Sequence, residues 1–352
     1  MRVWVCVALS GLLLDSARGA EIPPPTGEMI VSSDARLELL FTRALPVLGG
    51  LTEGPAVAPD GSIYFSDIMF GENKGVIYRY DPKTNKTSVF VADSYKSNGL
   101  IFDADGHLLS CEGADLGGRQ IARWNVKSVQ RTTVANRYAG KKFNAPNDLC
   151  LDRKGRIYFT DPRYLGPESR ELKHQAVYRV DTDGNVLEIT HDVSKPNGIA
   201  LSPDERTLYV VEHDNGTDRG LTATDVTMGL MKLYVFALDG DGRVSGPPKE
   251  FLDLGEEPGI DGMTVDEHGN VYLACIRPSR PGVLVLSPAG SEIAYIPTAP
   301  ADQKADDPDA VGGSASNVEF GIGDGANLLY ITVGTSLYRI RLKVRGYHPQ
   351  YE

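Results

Sequence analysis

The chain has 352 residues, with 36 basic and 47 acidic side chains and a net charge of −11. That sign argues against a nucleic-acid partner, because phosphate binding needs clustered Lys and Arg; it reads either as a solubilising surface or as a field that attracts a cation. Length admits two domains or one large all-β domain, and 38 glycines, 16 tyrosines and the absence of long helical periods favour many short strands joined by tight turns.

In chain order, residues 1–20 read as a secretory signal peptide: Arg2 gives a positive start, Val3 to Leu14 is mostly apolar but too short to span a bilayer, and Ala17-Arg18-Gly19-Ala20 offers small residues for cleavage. Asp15 interrupts the pattern. The expectation is a periplasmic or secreted protein with no membrane attachment after cleavage, and a monomer. Residues 21–35, which include EIPPPTGE, read as a Pro-rich spacer. Cys6 leaves with the signal. Cys111, Cys150 and Cys275 remain, an odd number that suits buried small side chains, with one disulfide as the alternative. Without Cys-x-x-Cys or His-x-x-x-His spacing, a structural zinc site is disfavoured.

From Glu53 onward one phrase recurs: EGPAVAPDGSIYFSD from Glu53, NGLIFDADGHLLSCE from Asn98, NDLCLDRKGRIYFTD from Asn147, NGIALSPDERTLYVVE from Asn197, DGMTVDEHGNVYLAC from Asp261 and the looser NVEFGIGDGANLLYIT from Asn317. Spacings of about 45 to 64 residues are those of propeller blades. Each copy predicts two strands around a tight turn, with Gly at the turn in the first, second, third and fifth copies. A third alternating strand follows at Gly75 to Tyr80, Ile121 to Val126, Ala176 to Val180, Met231 to Leu238, Val283 to Ser287 and Ser336 to Leu342. A fourth follows in five copies, at Thr87 to Val91, Arg131 to Ala135, Val186 to Thr190, Pro248 to Asp253 and Ile293 to Pro297. The sixth copy lacks one, and Leu37 to Thr42 is expected to supply it. The fold class is therefore all-β, a six-bladed β-propeller over residues 36–345 with four-stranded blades, its ring closed by an N-terminal strand, and residues 346–352 a C-terminal tail. Asp214 to Met228 and Pro162 to Gln175 are long enough to be lids or plain surface insertions, and Ala301 to Ala310 reads as an exposed acidic loop.

The openings Glu53, Asn98, Asn147, Asn197, Asp261 and Asn317 occupy one place in every blade and converge on the axis. All carry side-chain oxygen, which suits a hard cation. Each alone is an ordinary turn residue. Only Glu53 and Asp261 are ionisable, and two carboxylates balance one divalent ion. A metal there can polarise a carbonyl while a neighbouring carboxylate takes a proton from water.

EGP at Glu53, FNAPNDL with Asn147, PNGIALSPD with Asn197 and DGMTVDEHG with Asp261 resemble the signature blocks of the gluconolactonase/regucalcin-like family, over residues 36 to 342. FTDPRYLG from Phe159 and SNGLIFDADGHLLSCEG from Ser97 resemble its bacterial branch. The resemblance implies a six-bladed, Ca²⁺-dependent lactone hydrolase acting on a sugar lactone, with Mg²⁺, Mn²⁺ or Zn²⁺ as other ions for such a site. It implies Glu53, Asn147, Asn197 and Asp261 as metal ligands, and Asp261 as general base or nucleophile. Asn98 and Asn147 are substrate-contact candidates. Arg119, after the glycine-rich Gly113 to Gly118, is a candidate for a sugar hydroxyl or carboxylate, beside the reading of a solvated side chain. Ala145 stands where the animal branch has a substrate-binding Arg. Asp148 is a candidate support for the ligands, and His213 either a proton-transfer group or a turn residue. Phosphotriester hydrolysis, as in diisopropylfluorophosphatase-like propellers, and a non-enzymatic binding platform are the alternatives.

Overall fold

Six four-stranded antiparallel sheets form the blades, and their innermost strands touch in a closed ring, the first against the sixth. The computed structural model describes residues 21–44, 50–218, 226–303 and 311–352. The signal-peptide expectation, and parts of the two loops expected at Asp214 to Met228 and Ala301 to Ala310, lie outside them. The first blade runs outward through Leu51–Val57, Ile63–Ile68, Val76–Asp81 and Lys86–Val91. The second to fifth blades begin at Ser97–Phe102, Leu149–Leu151, Pro196–Leu201 and Ile260–Val265. The sixth consists of Ala315–Phe320, Leu328–Val333 and Ser336–Arg341, with Glu38–Thr42 as its outer strand. The N-terminal segment thus joins the last blade, as the missing fourth strand of the final repeat requires.

Alternation along the strands builds the core. Successive side chains point to opposite faces, so Ile63 and Phe65 enter a cluster with Tyr330 and Leu337 of the sixth blade, while Tyr64 between them packs with Phe102 and Trp124 of the second. The third blade does the same: Ile157 and Phe159 face backward to Cys111 and Ile121, and Tyr158 faces forward to Val210 and Phe236. Together with the clusters between the fourth and fifth and the fifth and sixth blades, every interface has its own apolar filling. Each fully buried aliphatic or aromatic side chain contributes about 1.5–3 kcal/mol.

Both ends differ from their sequence reading. The stretch read as a spacer is docked: Thr26 exchanges backbone hydrogen bonds with Tyr295 (2.9 and 3.1 Å), and Ile30 and Val31 are buried against the fifth and sixth blades. An apolar pair following the prolines is what fastens it. The C-terminal tail crosses the end of the axis opposite the pocket described below. Tyr347 donates its hydroxyl to the Pro203 carbonyl (3.2 Å), Tyr351 to that of Val57 (2.8 Å), and Arg153 pairs with Glu352. Between the tail and the inner strands only a void of about 60 Å³ remains.

Candidate active site

Bulges aim the opening residues. In the first, second, fourth and fifth blades the inner strand carries an extra residue at or just after the opening, between Glu53 and Ala56, Ser97 and Leu100, Pro196 and Ile199, and Ile260 and Met263. A bulge bends the strand and redirects its side chain, here toward the axis. The following glycine lets neighbouring blades close up: a Cβ on Gly99 would lie 2.6 Å from Asp148 Oδ1, and one on Gly262 2.1 Å from Asn317 Cγ.

Glu53, Asn98, Asn147, Asn197 and Asp261 line a cavity of about 270 Å³ at one end of the axis. All four expected metal ligands, and the substrate candidates Asn98 and Asn147, are therefore brought together. Asn317 is the exception among the openings. In its blade the bulge falls earlier, between Ala315 and Asn317, and the Asn317 N–H is held by Thr332 Oγ1 (3.0 Å). Its side chain lies behind the pocket wall, where it hydrogen-bonds Glu53 and Asp148. Asn317 and Asp148 form a supporting layer under the candidate ligands.

Arg119 is a correction. Its guanidinium is turned inward, donating from Nε to the carbonyls of Phe143 (2.8 Å) and Asn144 (3.1 Å) and from Nη2 to that of Ser169 (3.4 Å), and it does not line the cavity. Clustered carbonyls hold it in place of solvent or substrate. It acts instead on the Phe143 to Asn147 turn, with Asp161 and Arg163: the Asp161 carboxylate accepts the N–H groups of Asn144 and Ala145 (2.8 Å each), and Arg163 Nη2 donates to the Asn144 carbonyl (2.9 Å). Burial pushes the Asp161 carboxyl up to about 7. The sequence carried no signal for this clamp, because its partners come from three separate segments.

Two further residues close the site. Tyr164, within the Pro162 to Gln175 loop, donates its hydroxyl to the His213 carbonyl (3.1 Å) and accepts from Asn197 Nδ2 (3.1 Å), which orients the Asn197 amide; its oxygen accepts no hydrogen bond among the described residues. Sequence reasoning passed over Tyr164, although it lies inside the FTDPRYLG block. His213 ends its strand inside the pocket wall with Nδ1 3.1 Å from the Ile260 carbonyl. A carbonyl only accepts, so Nδ1 carries the proton, and burial holds the ring below its ordinary pKa and neutral. The Cys111, Cys150 and Cys275 thiols are free, without a disulfide.

The donor set fits a divalent cation. Burial, and then the neighbouring Asp261 carboxyl, push Glu53 well above the ordinary carboxylate range; burial likewise raises Asp261. No Lys or Arg hydrogen-bonds either carboxyl among the described residues, and the lysine in the wall, Lys96, is held by the Met69 and Gly71 carbonyls. Two uncompensated carboxylates beside two amide oxygens are a hard-cation environment. Elsewhere, Asp103, Asp105 and His107 cluster in a surface turn, but Asp103 Oδ1 already accepts the Asp105 and His107 N–H groups and Oδ2 meets Arg123.

Comparison with known proteins agrees with this geometry. The family described as the SMP-30/gluconolactonase/LRE-like region matches residues 51–334. A gluconolactonase of Zymomonas mobilis is 30% identical over 261 residues, covering 71% of this chain and 64% of that protein. A pentonolactonase of Haloferax volcanii is 27% identical over 238 residues, 67% of this chain and 70% of its own length. Among solved structures, a gluconolactonase of Xanthomonas campestris superposes with a TM-score of 0.73 at 28% identity, covering 92% of this chain and 96% of that one. The chain thus spans just under two thirds of the Zymomonas relative.

Proposed function

Because the chain belongs to the SMP-30/gluconolactonase/LRE-like family, we propose that it is a hydrolase of carboxylic ester bonds that opens a lactone ring, with a divalent cation held by Glu53, Asn147, Asn197 and Asp261. The observation that carries the reading is the Glu53–Asp261 carboxyl pair, set beside two amides and without a Lys or Arg hydrogen bond among the described residues, at the floor of an open pocket. When bound, the cation supplies Lewis acidity toward the ester carbonyl. Asp261 is partly exposed there and takes the proton from an attacking water or acts as the nucleophile. The amides of Asn98 and Asn147 make no hydrogen bond to protein among the described residues and remain for substrate. Tyr164 holds Asn197 in orientation. Ca²⁺ suits an all-oxygen set; Mg²⁺, Mn²⁺ and Zn²⁺ are the other ions to test. The relatives' substrates make a sugar lactone the first compound to assay, and the leader-like residues 1–20 suit a periplasmic or secreted enzyme.

The test is proton release from D-glucono-1,5-lactone by the mature protein, with Ca²⁺, with excess chelator, and in Asp261→Asn. Turnover above the spontaneous rate, abolished by chelator and by the substitution, is expected. Turnover indifferent to both overturns the mechanism. No turnover of any lactone overturns the activity and turns the search to phosphotriesters.

A further inference from the structure

Above its polar floor the pocket is walled by half-exposed apolar side chains. Leu51, Ile68 and Phe70 rise from the first blade, Leu165 from the loop carrying Tyr164, and Ile276 from the fifth blade, converging on one mouth. Ala145 and Pro146 add a further apolar surface beside Asn147. Half-exposed apolar groups gathered on one opening, as opposed to scattered singly, mark a surface meant to be covered.

Most polar groups in the same wall are already engaged. Lys96 Nζ donates to the Met69 and Gly71 carbonyls, Asp115 Oδ2 accepts the Gly71 N–H (2.6 Å), the Tyr164 hydroxyl is held between His213 and Asn197, and Asn215 Oδ1 accepts from Lys195 (2.8 Å). Arg119, which sequence reading offered to a sugar hydroxyl, is turned away. Above the floor, the hydrogen-bonding capacity left among the described residues is confined to a few groups, chiefly the Asn98 amide, the Asn215 amide N–H groups and His213 Nε2. A polyhydroxylated ring would lose water from more hydroxyl groups than this wall can satisfy, whereas an alkyl or aryl substituent would lose none.

We propose that the site prefers a lactone carrying an apolar substituent, with its ester on the polar floor and its alkyl or aryl group against Phe70, Ile68, Leu165 and Ile276, over a polyhydroxylated aldonolactone. This rests on the lactonase reading and refines its substrate class.

The experiment measures kcat/KM of the Ca²⁺-loaded mature protein for δ-valerolactones bearing methyl to pentyl groups at the ring carbon next to the ester oxygen, beside D-glucono-1,5-lactone. The expected result is a rise of about fourfold per methylene until the wall is filled, ending above the aldonolactone. In Phe70→Ser and Ile276→Ser, both loop positions whose side chains are half-exposed, the rise should flatten. A flat series, or a preference for the aldonolactone, overturns the proposal. Binding of the corresponding alkyl lactams, followed calorimetrically, separates the two readings. Lactams that bind more tightly with each methylene while no lactone is turned over would sustain the apolar pocket and remove the hydrolase, and lactams whose affinity ignores the alkyl chain would remove the pocket assignment.

Discussion

Glu53 on the first blade and Asp261 on the fifth bring their carboxyl groups together at the pocket floor, and each sits above its ordinary pKa chiefly because the floor withdraws it from water. A group whose folded pKa is raised contributes stability below its unfolded value and loses it as pH rises through the folded one. The metal-free protein should therefore lose stability as pH climbs out of the ordinary carboxylate range, and a divalent cation should restore it, by about 2.7 kcal/mol at a hundred times its Kd. Glu53→Gln should raise the metal-free melting temperature near neutral pH yet remove the Ca²⁺-induced gain. Thermal scans with and without Ca²⁺ check this; a variant that keeps the full gain would take Glu53 out of the site.

Asp161 touches no substrate, but it holds the turn that carries Asn147. Asp161→Asn replaces one acceptor oxygen by a donor facing a backbone N–H. It should cost about 1–3 kcal/mol of stability and weaken cation affinity by about 10- to 100-fold. Calorimetric Ca²⁺ titration distinguishes this from simple destabilisation, which would leave the affinity of the folded fraction unchanged.

Gly262→Ala should destabilise by about 1–3 kcal/mol and cut cation affinity, because the new methyl would displace the Asn317 amide that braces Glu53 and Asp148. Gly240, whose Cβ would meet nothing within 4 Å, is the control, with an expected change within about 0.5 kcal/mol. Equal effects at the two positions would refute the bracing role.

The tail supplies a pH test remote from the pocket. Burial holds His348 down to about 4, and its neighbour Glu319, pushed up to about 8, stays protonated and neutral beside it. A histidine with a depressed folded pKa loses its contribution as pH falls from its unfolded value toward the folded one, at up to about 1.4 kcal/mol per pH unit. His348→Gln should flatten the stability profile between pH 6.5 and about 4 in urea unfolding. Removal of residues 347–352 should lower stability by about 3 kcal/mol or more, through lost burial of Tyr347 and Tyr351 and their hydrogen bonds.

Most of the propeller was readable because each blade repeats one local phrase: a tight turn, usually with Gly, places two alternating strands, and the missing sixth outer strand pointed back to Leu37–Thr42. The convergence of the openings was readable for the same reason: repetition put Glu53, Asn98, Asn147, Asn197 and Asp261 in one frame, and all five line the pocket. What escaped depended on contacts between segments. Asn317 shares the phrase but a shifted bulge withdraws it. Arg119 looked available until carbonyls from Phe143, Asn144 and Ser169 surrounded it. The docked ends were hidden because Ile30, Val31, Tyr347 and Tyr351 carry no periodic pattern, only the apolar surface that later finds a blade.

With the tail laid over one end of the axis and the Asp148–Asn317 layer beneath the pocket floor, the described residues leave the well open at one end. On the proposed activity, an opened hydroxy acid would leave by the way the lactone entered and would block the next molecule until it departs. Its carboxylate is a natural companion for a cation. Accumulating product should therefore compete directly with substrate, and turnover at high conversion would be governed by departure from the well as much as by ring opening.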